Sequence, residues 1–109
     1  YVNAEPAGQY NILSASTSIN LAAGNWYQVV GTFSDQFTSI YVNGQLSGQS
    51  QGGQAVIDNP FNTLVIGGDP RYDFRRMTGD IAVFNMYSRE LSPDEVLTNF
   101  NAIRGRFGI

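Results

Sequence analysis

Residues 79–100 read GDIAVFNMYSRELSPDEVLTNF and join the longest mainly apolar strand candidate of the chain to its best-marked helix. In 81–87, IAVFNMY, the residues Ile81, Val83 and Tyr87 fall on one face of a pleat. Ala82, Phe84 and Met86 fall on the other. A half-solvated strand alternates apolar and polar residues, so this pattern predicts a strand covered on both sides. A helix is expected after a short turn. Ser92 is a natural N-cap, Pro93 suits the first helical position, and Glu95 completes an S-x-x-E capping box. Val96, Leu97, Phe100 and Ile103 form one apolar stripe, and Gly105 is the expected stop.

Upstream, the chain predicts short strands separated by turn chemistry. Residues 10–13 and 18–21 are strand candidates, and 22–25, AAGN, is a turn. Residues 26–33, WYQVVGTF, are rich in aromatic and β-branched side chains and predict a strand. A break at Ser34, Asp35 and Gln36 precedes a second strand at 37–42. Asn43-Gly44 follows, a hairpin signal because both central turn positions want φ > 0. The return strand, 45–50, is polar enough to be an edge. Further strands are expected at 55–57 and 62–66, around the turn Asp58-Asn59-Pro60. A charged aromatic loop, 69–77 (DPRYDFRRM), leads into the opening stretch. Short strands at this spacing with one late helix predict an antiparallel β-sandwich.

Composition narrows the chemistry. A chain of 109 residues is one domain that buries roughly 65% of its unfolded surface. It has no Cys and no His, which excludes a disulfide framework, the usual zinc sites and Ser-His-Asp triads. Nine acids stand against six basic residues, all Arg, for a net charge of -3. That balance lacks the basic footprint of a nucleic-acid binder. No apolar run reaches membrane-spanning length, so no membrane insertion is expected, and nothing resembles a signal peptide.

Three motifs in order carry a family resemblance: WYQVVGTFSDQFTSIYVNGQLSG, NTLVIGGDP and FRRMTGDIAVFNMYSRELSPDEV. The chain resembles the laminin-G-like, concanavalin A-like lectin/glucanase jelly rolls. In those domains a Trp-led strand, a Y-V-N-G hairpin, an I-G-G strand and a G-x-I strand ending Y-x-R-x-L-S precede a short helix. The matching residues here are Trp26; Tyr41 to Gly44; Ile66 to Gly68; Gly79 and Ile81; and Tyr87, Arg89, Leu91 and Ser92. The resemblance implies an all-β jelly-roll β-sandwich with one short C-terminal helix. Family domains are usually longer, so residues 1–109 read as a single domain that is either the C-terminal portion or a shortened version. If strands are missing, a homo- or hetero-oligomer or a further segment must cover the exposed sheet edge.

The candidate sites sit in loops. Glycoside hydrolysis needs two carboxyl groups about 5 to 9.5 Å apart across a cleft. The dense acidic cluster, Glu90, Asp94 and Glu95, coincides with a helix N-terminus, where negative charge is favoured anyway. The E-x-D-x-x-E array of the glucanase branch is missing, so no enzyme is expected. Lectin-like jelly rolls often bind calcium at a loop rim. The resemblance therefore nominates Asp58, Asn59, Asp69 and Asp73 as oxygen ligands, although turn chemistry accounts for the same residues. The leading ligand-site candidates are Asp69, Arg71, Tyr72, Asp73 and Arg75. In this loop guanidinium donors alternate with aromatic faces on which a sugar ring can stack. The alternatives are a loop that seals the sandwich end with Tyr72 or Phe74 inward, or Arg residues that meet a neighbouring subunit. Trp26 also offers a sugar face, but it opens a core strand, where packing is the default.

These observations, with the resemblance, lead to the expectation of a non-catalytic lectin-like module recognising a glycan or protein surface. The resemblance places it extracellularly or on a virion surface. The competing expectation is a structural decoration or assembly protein, for example of a viral capsid or tail.

Overall fold

The computed structural model describes residues 19–51, 65–68, 72, 74 and 76–109. Three strands and one helix make up the regular structure: β1 (Val29–Phe33), β2 (Phe37–Val42), β3 (Gln45–Gln51) and α1 (Pro93–Phe107). The strands form one antiparallel sheet in the order β1-β2-β3. The described part is thus mainly β with a C-terminal helix, as the sequence predicts. The second sheet of a sandwich is not among the described residues. The strand candidates at 10–13, 55–57 and 62–64 lie outside them, and residues 19–21, 65 and 66 are not strand.

Turn chemistry sets the sheet. Between β1 and β2 the Ser34 hydroxyl accepts from the backbone N–H of Phe37 (3.0 Å) and of Gln36 (3.3 Å), closing a tight side-chain turn. Between β2 and β3 both central residues have positive φ, 49° at Asn43 and 78° at Gly44, as a hairpin of this length requires. Asn43 also extends the β1–β2 ladder. Its N–H donates to the Gln28 carbonyl and its side-chain carbonyl accepts the Gln28 N–H, both at 2.9 Å. Register pairs Tyr41 with Val30 and with Leu46. A shift between Ile40 and Tyr41 leaves Ser47 as the extra residue of a bulge in β3, which bends the strand.

β2 is the centre of the core. Thr38, Ser39, Ile40, Tyr41 and Val42 are all buried, so the strand is covered on both faces. On the Tyr41 face the cover comes from Leu91 and Val96, with Val30 packed against them. This brings α1 down over the β2–β3 turn. A Cβ at Gly44 would lie 3.0 Å from both Leu97 Cδ1 and Phe100 Cδ1, and 3.1 Å from Phe100 Cβ.

The helix starts where the sequence says. Ser92 Oγ accepts from Glu95 N–H at 3.2 Å and Glu95 Oε2 accepts from Ser92 N–H at 2.8 Å, both halves of the capping box. It ends later than expected. Gly105 lies inside α1, and Gly108, in the left-handed region at φ 69°, is the cap instead. Of the expected stripe, Val96 and Phe100 are buried, Ile103 is half-buried and Leu97 is at the edge of exposure.

Two expectations are corrected. Trp26 is not inside a core strand: β1 starts at Val29, and Trp26 is exposed with its ring 5.3 Å from that of Phe107. The larger correction concerns residues 81–87, which are not strand and are exposed throughout. Among the described residues no pairing includes them. The two-faced apolar pattern that predicts cover is present, and among the described residues the cover is not.

Candidate functional site

The loop leading to residue 79 is pinched at its base. Gly68 and Arg76 form an isolated antiparallel bridge, and Met77 N–H donates to the Gly67 carbonyl at 2.7 Å. Gly67 takes φ 75° at the start of this closure, a conformation open to glycine without strain. Tyr72 and Phe74 lie between the two sides of this hydrogen-bonded closure in the chain. Such loops on a rigid sheet are where binding surfaces concentrate.

Within the loop the structure describes two side chains. Tyr72 and Phe74 form a tilted ring pair with centroids 5.5 Å apart and planes at 48°. Neither ring is buried: Tyr72 is 43% and Phe74 79% exposed. The inward, sealing orientation is thus not adopted by either. A phenol and a phenyl ring held together and facing water offer an apolar platform with one polar handle. Asp69, Arg71, Asp73 and Arg75 lie outside the described residues, as do Asp58 and Asn59. The metal expectation therefore rests on donor chemistry. Three carboxylates and one amide are hard oxygen donors of the kind calcium takes. Among the described residues no three Asp or Glu side chains converge on a point that could hold an ion.

An open concavity lies at the start of α1. It encloses about 260 Å³ and is lined by Tyr87, Arg89, Leu91, Asp94, Glu95, Thr98 and Asn99. Its lining includes an exposed ion pair. Arg89 donates from Nη1 to Glu95 Oε2 (2.8 Å) and from Nη2 to Glu95 Oε1 (2.7 Å). Asn99 Nδ2 donates to the Tyr87 hydroxyl at 3.4 Å. The two-pronged Arg89 bond, aided by the Ser92 N–H, holds the Glu95 carboxyl at a pKa of about 2, below its ordinary 4.5. The same pairing raises Arg89. A glycosidase acid needs the opposite shift, so that it still carries its proton near neutral pH. Glu95 is a capping and pairing residue.

Sequence reasoning missed this groove because it followed the apolar stripe of the helix. Asp94, Thr98 and Asn99 sit on the other side, at i, i+4 and i+5. The two-faced pattern of 81–87 predicts a covered Tyr87, whereas its side chain is about half exposed.

Comparison with known proteins agrees with the fold. A family model described as the concanavalin A-like lectin/glucanases superfamily matches residues 1–97. No curated protein matches the chain. Among solved structures, an S-layer domain-containing protein from Clostridium thermocellum matches with a TM-score of 0.60 and 26% sequence identity. The match covers 77% of this chain and 43% of the other, so this chain spans less than half of that relative's length.

Proposed function

This chain belongs to the concanavalin A-like lectin/glucanases superfamily, and we propose that it is a non-catalytic, lectin-like module that binds a glycan or another surface. The observation that carries the proposal is the water-facing Tyr72–Phe74 ring pair on the pinched loop. Sugar rings present apolar C–H faces that stack on such rings, while their hydroxyls take hydrogen bonds from planar donors and carboxylates. The loop supplies both kinds of group in Asp69, Arg71, Asp73 and Arg75, interleaved with the aromatics. The non-catalytic reading is supported by the depressed Glu95 carboxyl and by its commitment to Arg89 and Ser92. An extracellular setting is supported by the S-layer name of the structural relative.

Binding to an immobilised glycan array tests the reading. Saturable binding to at least one sugar class is expected, weakened roughly 10-fold by Tyr72→Ala. The melting temperature should stay near that of the parent, because the ring is exposed. No binding across the array, together with a stable oligomer in solution, would instead favour an assembly protein.

A further inference from the structure

Asn43-Gly44 makes the turn between β2 and β3, and it is the only Asn-Gly pair in the chain. Asparagine is thermolabile, and a following glycine leaves its backbone nitrogen unshielded by a side chain. The Gly44 nitrogen can attack the Asn43 side-chain carbon Cγ and form an N–Cγ bond. The Nδ2 group then departs with the Gly44 N–H proton as ammonia, and a five-membered succinimide remains. Water opens that ring at one of two bonds. Cleavage at Cγ–N gives aspartate in an ordinary backbone. Cleavage at the former peptide bond gives isoaspartate, whose backbone runs through the side chain and is one methylene longer. Water is the only co-reactant.

The fold opposes ring closure at each atom involved. A φ of 49° places Asn43 in the left-handed region, where ψ is also positive. For an L residue there, Cβ and the next nitrogen lie on opposite sides of the Cα–C bond. The ring needs them on the same side. Gln28 holds both ends of Asn43, since its N–H donates to Oδ1 and its carbonyl accepts the Asn43 N–H, each at 2.9 Å. Bringing Cγ to an attack distance of about 3–3.5 Å therefore requires the 43–44 peptide to rotate. That rotation carries Gly44 with it, and Gly44 is buried under α1. One added carbon there would already lie 3.0 Å from Leu97 Cδ1 and Phe100 Cδ1.

We propose that Asn43 is a self-modification site gated by α1. It is shut while Leu97 and Phe100 sit on Gly44, and it opens when the helix lifts. The two products differ in consequence. Aspartate keeps a side-chain oxygen for the Gln28 N–H. Isoaspartate lengthens a two-residue turn by one backbone carbon, which shifts Gly44 beneath the helix and bars its return. The turn thus records, in one direction only, that α1 has left the sheet.

Incubation at neutral pH and body temperature, followed by peptide mass spectrometry that separates the two products, tests this. Conversion of Asn43 in the folded parent should be roughly 100-fold slower than in the same chain unfolded in urea. Leu97→Ala and Phe100→Ala, each shown to be folded by circular dichroism, should convert roughly 10-fold faster than the folded parent. Should Phe100→Ala fail to fold, Leu97→Ala decides, because its side chain lies at the edge of exposure. Equal rates in the folded and unfolded parent would overturn the proposal. A folded Leu97→Ala that converts no faster than the parent would overturn it too. The purified isoaspartate product should melt below the parent and the aspartate product close to it. Equal melting of the two products would remove the one-way record.

Discussion

Gly44 is where the sheet and the helix meet. Its φ of 78° serves the β2–β3 turn, and its missing Cβ leaves room for Leu97 and Phe100. One of the atoms in the way is Phe100 Cβ, at 3.1 Å, which cannot rotate aside without moving α1. Gly44→Ala therefore combines left-handed strain of about 1–2 kcal/mol with displacement of the helix. Chemical denaturation should show a loss above that strain alone, and a loss under about 1 kcal/mol would show that the helix seat is loose. The turn was legible from Asn43-Gly44, because it is local chemistry. Its second role, as the seat of a helix about fifty residues later, is a tertiary fact that no local pattern carries. Thr38 makes a different point. It is fully buried in β2, and its hydroxyl has no partner among the described residues. An unpaired buried hydroxyl costs on the order of 1–3 kcal/mol, so an apolar replacement of the same shape is neutral or better. Thr38→Val should raise the denaturation midpoint, and a clear drop would reveal a bond to that hydroxyl.

At the scale of elements, α1 was read correctly at its start and too short at its end. Ser92, Pro93 and Glu95 form a reciprocal local motif, so the start follows from sequence. The stop does not, because Gly105 and Gly108 both qualify and only the backbone chooses. Gly105 is left inside the helix with open space where a Cβ would go. Gly105→Ala should therefore stabilise by about 0.5–1 kcal/mol in thermal or chemical denaturation, and destabilisation would mean that the helix ends there after all. The capping box also carries a pH signature. Glu95 has a folded pKa of about 2 against an ordinary 4.5, so it binds its proton less readily when folded. Its contribution is present above pH 4.5 and fades as pH falls through the window down to about 2. Melting curves across that window should show Glu95→Gln less stable than the parent at pH 6, with the gap closing toward pH 2. A gap independent of pH would contradict the pairing. The segment 81–87 was misjudged for a physical reason. Periodicity records which faces a residue is built to bury, and it is silent on whether the burying partner lies in the same stretch of chain.

For the whole molecule, the superfamily was legible from the order of Trp26, the Tyr41–Gly44 hairpin, Ile66 to Gly68 and the 79–92 unit. Order and spacing encode topology, even where each motif alone is weak. The ligand was not legible, since loops on a shared scaffold vary freely in what they hold. The calcium expectation at Asp58, Asn59, Asp69 and Asp73 belongs at this scale, because those residues are far apart in the sequence. Bound to the folded state alone, calcium at 100 times its Kd would add about 2.7 kcal/mol. The melting temperature should then rise with calcium and fall back with a chelator, and no change in either would remove the ion from the account. The central claim is that the pinched loop binds through its exposed aromatic pair. Titration of an array-positive oligosaccharide into the parent and into a Tyr72→Ala, Phe74→Ala double variant tests it most directly. The account predicts that the variant keeps its fold by circular dichroism and loses binding by roughly 100-fold. Equal affinity in parent and variant would contradict it.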